Sequence, residues 1–219
     1  VMYSTDGITW TSASASVATD WQSVTYGDGK FVAVANNASL DTVMYSTDGI
    51  TWTTPTNSIA ASWQSVTYGG GKFVAVGSDG SLPNTMSSTD GINWAQNYLR
   101  NWGLDPNYWV SVTYGVDSNG IGKFVAGATN GTNRLMYSTD AINWTLVASP
   151  SGTESNGWYS MAYGDGQFVA VSPSPEATNR IIYSSDGITW TKANPVEDSD
   201  DDWKSVTYGN GRFVAVSSG

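Results

Sequence analysis

Short apolar runs separated by polar, glycine-rich stretches alternate along the whole chain. Trp21 to Gly27 is rich in β-branched and aromatic residues, and Lys30 to Val34 carries the apolar run Phe31-Val32-Ala33-Val34. Both read as short strands, with Gly27-Asp28-Gly29 as the turn between them. A polar loop, 35–42, leads into Val43 to Thr47. Asp48-Gly49 is then a two-residue hairpin signal, in which both central residues take positive φ. Ile50 to Thr53 closes a set of four strands. No segment carries a helical spacing of 3.6, so the expected fold class is all-β.

The set recurs. Tyr3-Ser4-Thr5-Asp6-Gly7-Ile8-Thr9-Trp10 returns at 45–52, 87–94, 137–144 and 183–190, and the unit opening at Trp21 returns at Trp63, Trp109, Trp158 and Trp203. A period in the forties with four strands per repeat points to a radial array. The Phe-Val-Ala-Val strands are apolar on both faces, so both faces need cover. Four-stranded sheets packed face to face around an axis supply it, as the blades of a β-propeller. The blades fall at about 21–53, 63–95, 109–146 and 158–192, with a fifth made of 203–219 plus 1–12, in a single domain over 1–219. The expected architecture is a five-bladed β-propeller of antiparallel blades. It is closed where the N-terminal strands C–D pair with the C-terminal strands A–B in one blade, leaving no open edge.

The aromatic residues follow the same register. Trp10, Trp52, Trp94, Trp144 and Trp190 hold one position, and Trp21, Trp63, Trp109, Trp158 and Trp203 another. All five Phe and the tyrosines at 26, 68, 114, 163 and 208 hold two more. A position filled alike in every blade does one job five times, which is packing rather than a unique ligand site. Each such ring buries about 150–250 Å².

Composition narrows the chemistry. A net charge of −10 with nine Lys and Arg disfavours a phosphate backbone or an anionic membrane surface, so neither nucleic acid nor membrane insertion is expected. No apolar run approaches spanning length. With no Cys and no His, disulfides, thiolate sites, Ser-His-Asp triads and histidine-ligated zinc are excluded. No signal-peptide pattern opens the chain at Val1. Three Asn-x-Ser/Thr sites, at Asn37, Asn130 and Asn143, are of a length that arises by chance in so Asn/Thr-rich a chain.

Ser-x-Asp-Gly-x-x-Trp, as in Ser4 to Trp10, resembles the Asp-box of sialidase-type (BNR) repeats, one residue shorter between Asp and Gly. Asp6, Asp48, Asp90, Asp140 and Asp186 match the motif's Asp, and Ala141 replaces the Gly of the fourth copy. The Gly-x-Gly-x-Phe-Val-Ala-Val companion is similar to repeats of uncharacterised bacterial and phage proteins. The resemblance implies that these Asp residues are structural turns on the face opposite any active site. It also frames an enzymatic alternative, because sialidases bind a substrate carboxylate with three arginines and use a Tyr/Glu pair with an acid/base Asp. Arg100, Arg134 and Arg180 fall on loops, but Glu154, Glu176 and Glu197 all lie in connectors and no Tyr/Glu pairing is readable.

Function is therefore expected on the variable loops of the other face. Candidate ligand-binding residues are Tyr98, Arg100, Asn101, Trp102, Asp105 and Tyr108 of the longest connector, with Arg134 and Arg180. Trp102 is the one Trp outside the repeat positions. Aromatic rings beside Asn, Asp and Arg suit a sugar, whose C–H face stacks while its hydroxyls hydrogen-bond; the alternative is an apolar anchor for a long loop. Asp198, Asp200 and Asp202 offer hard oxygen ligands to calcium, although a run of this kind also reads as a solvated acidic connector. No cofactor is expected.

These observations lead to a non-catalytic recognition module, extracellular or virion-associated. Its first-ranked role is glycan binding, followed by docking onto protein neighbours within a larger assembly, and then glycoside hydrolysis.

Overall fold

The computed structural model of the protein describes residues 1–37, 41–57, 59–78, 83–98, 107–173, 179–194 and 202–218. Among them every regular element is a strand, and all pairings are antiparallel. β1 (Met2–Tyr3) and β2 (Thr11–Ser12) flank the first Asp-box. β3 (Trp21–Gly27), β4 (Lys30–Asn37) and β5 (Val43–Ser46) form the first repeat, whose fourth strand is reduced to a bridge between Thr53 and Tyr45. The second repeat holds β6 (Ala61–Gly69), β7 (Lys72–Ser78), β8 (Pro83–Ser88) and β9 (Ala95–Tyr98). The third holds β10 (Trp109–Val116), β11 (Gly122–Ala128), β12 (Leu135–Ser138) and β13 (Thr145–Val147). β14 (Ser160–Gly164), β15 (Gln167–Val171), β16 (Ile181–Ser184) and β17 (Thr191–Lys192) make the fourth, followed by β18 (Asp202–Gly209) and β19 (Arg212–Ser218). Strands within a repeat pair in chain order, and Asn36 and Asn37 pair with Ser62 and Ala61 to link the first two sheets.

One turn differs from expectation. The two-residue hairpin with paired positive φ is not at Asp48-Gly49, where only Gly49 has positive φ (74°). It lies between the first two strands of a repeat. Asp28 and Gly29 have φ of 44° and 72°, and Gly70-Gly71, Asp165-Gly166 and Asn210-Gly211 repeat the pattern. At Asp48 the carboxylate binds the following backbone N–H groups and widens the turn to Ser46–Thr53. The third repeat replaces the tight turn with 117–121. There Asp117 Oδ1 accepts from Asn119 N and Ile121 N, both at 2.9 Å, and Oδ2 pairs with the buried Lys123.

Repeats pack on one another by one rule, applied four times. A serine Oγ of one first strand accepts from a backbone N–H of the next: Ser23 from Val66 (3.2 Å), Ser65 from Val112 (3.2 Å), Ser111 from Met161 (3.0 Å) and Ser160 from Val206 (3.1 Å). Val32 and Val34 are buried against Trp63, Val66 and Phe73 of the next repeat, and Val74 and Val76 against Trp109, Val112 and Phe124. This packing explains why both faces of the Phe-Val-Ala-Val strand are apolar.

The expected closing blade is not formed. β1–β2 and β18–β19 stand as separate two-stranded sheets. Each half is tied to a different neighbour: β18 is bonded to β14 through Val206 and Ser160, while β1–β2 faces the first repeat across a cavity of about 610 Å³.

Candidate functional site

The five Asp-boxes share one hydrogen-bond scheme. In the second copy, Ser46 Oγ donates to Asp48 Oδ1 (2.8 Å) and accepts from Gly49 N (2.8 Å). Asp48 Oδ1 also accepts from Ile50 N (2.8 Å) and Thr51 N (2.7 Å). The same bonds recur around Asp6, Asp90, Asp140 and Asp186. The backbone N–H groups of Thr9 and Ile8 hold the Asp6 carboxyl down at about 2, and those of Thr51 and Ile50 do the same for Asp48. Around Asp90 and Asp140 burial acts in the opposite direction, but the backbone and side chain of Asn93 and Asn143 outweigh it. These carboxylates are thus engaged by their own turns and suit neither a proton donor at neutral pH nor a ligand site.

On the connector side, three segments run together. Tyr108 O accepts from Thr129 N (3.0 Å), and Ala128 O accepts from Trp158 N (2.9 Å). Tyr108 N donates to Asn130 Oδ1 (2.6 Å), while Asn107 donates to Asn133 O. Gly131, at φ 89°, passes so close to Asn107 that a Cβ would lie 1.7 Å from its Oδ1. Arg134 Nε donates to Gly131 O (2.9 Å), and its Nη1 to Ser155 O. The fourth repeat uses an equivalent staple, Asn156 Nδ2 to Asn179 O (3.1 Å), beside the buried Arg180.

Arg134 therefore ties loop backbone together, and Arg180 is buried in the matching place; neither is displayed as an anion clamp. Tyr108 is exposed. Tyr98 ends β9, with its backbone paired to Asn84. Arg100, Asn101, Trp102 and Asp105 lie outside the described residues, as do Asp198 and Asp200. Asp202 opens β18 opposite Ser218. Among the described residues no three Asp or Glu come together to hold a metal.

The structure adds a position that sequence reading passed over. The ladder between the first two strands of a repeat carries a register shift between Trp21 and Ser23, Trp63 and Ser65, Trp109 and Ser111, and Trp203 and Ser205. The residue inside each bulge varies, being Gln22, Gln64, Val110 and Lys204, with Tyr159 at the corresponding place in the fourth repeat. Bulges re-aim side chains and concentrate next to binding sites. Tyr159 is exposed, and Lys204 Nζ lies 5.9 Å from its ring centroid. The signal was in the sequence: one variable residue between an invariant Trp and, at four of the five places, a Ser two residues later.

No family model matches the chain, and no curated protein does. Solved structures do. YCF48 bound to D1 peptide is 18% identical with a TM-score of 0.61, over 91% of this chain and 60% of that one. The computationally designed Ika8 protein gives 10% identity and 0.61 over 94% and 58%. A nidogen/laminin complex gives 13% and 0.58 over 90% and 72%. The chain thus spans about three fifths of the length of the first two. These are β-propeller proteins, and the likeness establishes that fold and no activity.

Proposed function

We propose that the protein is a non-catalytic recognition module that binds a glycan on its connector face. The observation that carries this reading is the exposed pair Tyr108 and Tyr159, brought together where 107–109, 128–129 and 157–159 run side by side. Their rings offer stacking surface. Lys204 and the amides of Gln22 and Gln64 occupy the equivalent bulge positions and offer hydrogen bonds to hydroxyls. The connector containing Tyr98, Arg100, Asn101, Trp102 and Asp105 leads into the same place along the chain. The Asp-boxes serve the scaffold, and five blades of one repeat type supply a rigid base for unlike loops.

A second reading is a polypeptide partner within a larger assembly, extracellular or virion-associated. Two structures of the same fold, YCF48 with D1 peptide and nidogen with laminin, are complexes with such partners. A glycan array probed with the purified protein separates the two. Binding that is lost in Tyr159→Ala and Trp102→Ala supports the glycan reading. Silence up to millimolar sugar sinks it in favour of the polypeptide. Hydrolysis of sialyl or other glycosides by the purified protein would overturn the non-catalytic assignment.

A further inference from the structure

The two half-sets of strands carry the two sides of one missing interface. Phe213 to Val216 repeats Phe31 to Val34 residue for residue, and Val1 to Ser4 repeats Val43 to Ser46. In the first repeat these segments pair, Phe31 with Ser46, Val32 with Tyr45, Ala33 with Met44 and Val34 with Val43. There Val32, Val34 and Val43 are 0% exposed and Met44 1%, whereas Val214, Val216, Val1 and Met2 are 54%, 56%, 42% and 57% exposed. Identical residues have opposite environments because each half lacks its mate.

The rest of the packing rule is cut at the same seam. Gly27, Gly69, Gly115 and Gly164 each lie under a tyrosine ring of the next repeat, so that a Cβ would come within 2.0–2.2 Å of a ring carbon. Gly209, fifth in the series, has nothing within 4 Å, and Tyr26, the ring that would complete the series, is 58% exposed. Val24 is likewise exposed, and among the described residues no bond joins its N–H to Ser205 Oγ, although the four equivalent pairs are made.

We propose that this seam is a head-to-tail contact site for a second copy of the chain. β19 of one copy pairs with β1 of the other, Phe213 against Ser4 and Val214 against Tyr3, while Gly209 receives the other copy's Tyr26. The inference is independent of the glycan reading. The occupant is identified by continuity with the four interfaces already formed, since a strand of this repeat is the one shape that they accept. Closure within one chain would require the tight glycine-to-tyrosine contacts to turn together. A second copy meets both surfaces without moving any. The two sides differ, so the contact is heterologous, and two copies are the smallest set that uses both seams of each chain. Association also removes the open edges of β19 and β1, which are otherwise free to pair with other strands.

Light scattering over a concentration series gives the first test, with a mass of at least twice 23.3 kDa expected in the micromolar range. The chain has no native cysteine, so Tyr3→Cys and Val214→Cys introduce the only thiols. In the first repeat, Tyr45 exchanges both backbone bonds with Thr53, leaving Tyr45 and Val32 a non-hydrogen-bonded pair, with Cα atoms near enough for a disulfide. Mixing the two single variants is expected to give a linked pair on a non-reducing gel, while each alone gives none. Gly209→Ala, which meets nothing in its own chain, is expected to weaken association at least tenfold without shifting the unfolding midpoint. A single-chain mass at every concentration would overturn the proposal. So would unchanged association in Gly209→Ala, or a Tyr3→Cys/Val214→Cys double variant that oxidises within one chain and never links two.

Discussion

Gly27 lies against the ring of Tyr68, so close that a Cβ would fall 2.0 Å from Tyr68 Cγ. Gly69 stands in the same relation to Tyr114, and Gly164 to Tyr208. The recurring Tyr-Gly dipeptide therefore works in two directions. Its tyrosine covers the glycine of the repeat before, and its glycine receives the tyrosine of the repeat after.

Gly69→Ala is accordingly expected to be severe. The new methyl would meet Tyr114 Cγ at 2.1 Å, and the ring cannot move without disturbing Gly70 and Gly122, which also touch it. Overpacking of this kind costs about 3 kcal/mol or more. Gly29→Ala gives the control, because nothing lies within 4 Å and the only penalty is its φ of 72°, about 1 kcal/mol. Urea unfolding of the two variants checks the difference. Equal losses would mean that the glycines serve turn geometry rather than packing.

Acid should loosen the scaffold in a defined window. Each Asp-box carboxyl is held below its ordinary 3.8, with Asp6 and Asp48 at about 2. The unfolded chain therefore takes up protons more readily than the folded one. The stabilisation is complete above pH 3.8 and is lost as the pH falls through 2. Tryptophan fluorescence against pH is expected to be flat down to about 4 and to fall steeply below it. Replacing Asp48 by Asn should lower the proton uptake on acid unfolding by about one. Unfolding that begins near pH 6 would point to another group.

The repeat made the fold legible. Five copies of one pattern fix strand positions far better than one copy could, and the doubly apolar Phe-Val-Ala-Val strand shows that both faces are covered. Other features depend on more than local pattern. Asp48-Gly49 reads as a tight hairpin until the carboxylate is seen to span the turn. Arg134 and Arg180 read as ligands because the sequence does not show which backbone carbonyls lie nearby. The seam between β19 and β1 depends on the rotation between neighbouring repeats, summed over four interfaces, and no local pattern encodes a sum. Tyr159 was passed over for a simpler reason, since it sits inside a strand whose flanking residues are scaffold.

Trp63 gives a measure of the core. It is fully buried among Val32, Val34 and Phe73, and its Nε1 donates to Ile59 O at 2.9 Å. Trp63→Ala removes that packing and leaves Ile59 O without its donor, for an expected loss of about 3–5 kcal/mol. Chemical denaturation with an unchanged midpoint would contradict the inter-repeat role of this position.

Arg134 and Tyr159 should separate scaffold from site. Arg134 donates to Gly131 O and to Ser155 O, bridging the loop after β11 to the connector before β14. Arg134→Ala leaves those carbonyls without their charged donor, and a loss of about 1–3 kcal/mol in stability is expected. Any effect on ligand binding should follow from the loosened loop, so Arg134→Lys, which keeps the charge but not the forked geometry, should restore little. Tyr159 is exposed, and its recorded side-chain contact is with Lys204 across the bulge positions. Tyr159→Ala is expected to leave stability within about 0.5 kcal/mol of the parent. Its affinity for a glycan identified on the array should fall at least tenfold, about 1.4 kcal/mol. Titration calorimetry and thermal denaturation on the same samples read both quantities. The opposite pattern, with Arg134→Ala stable but unable to bind and Tyr159→Ala unfolded but able to, would return the arginine to the ligand site and place the tyrosine in the scaffold.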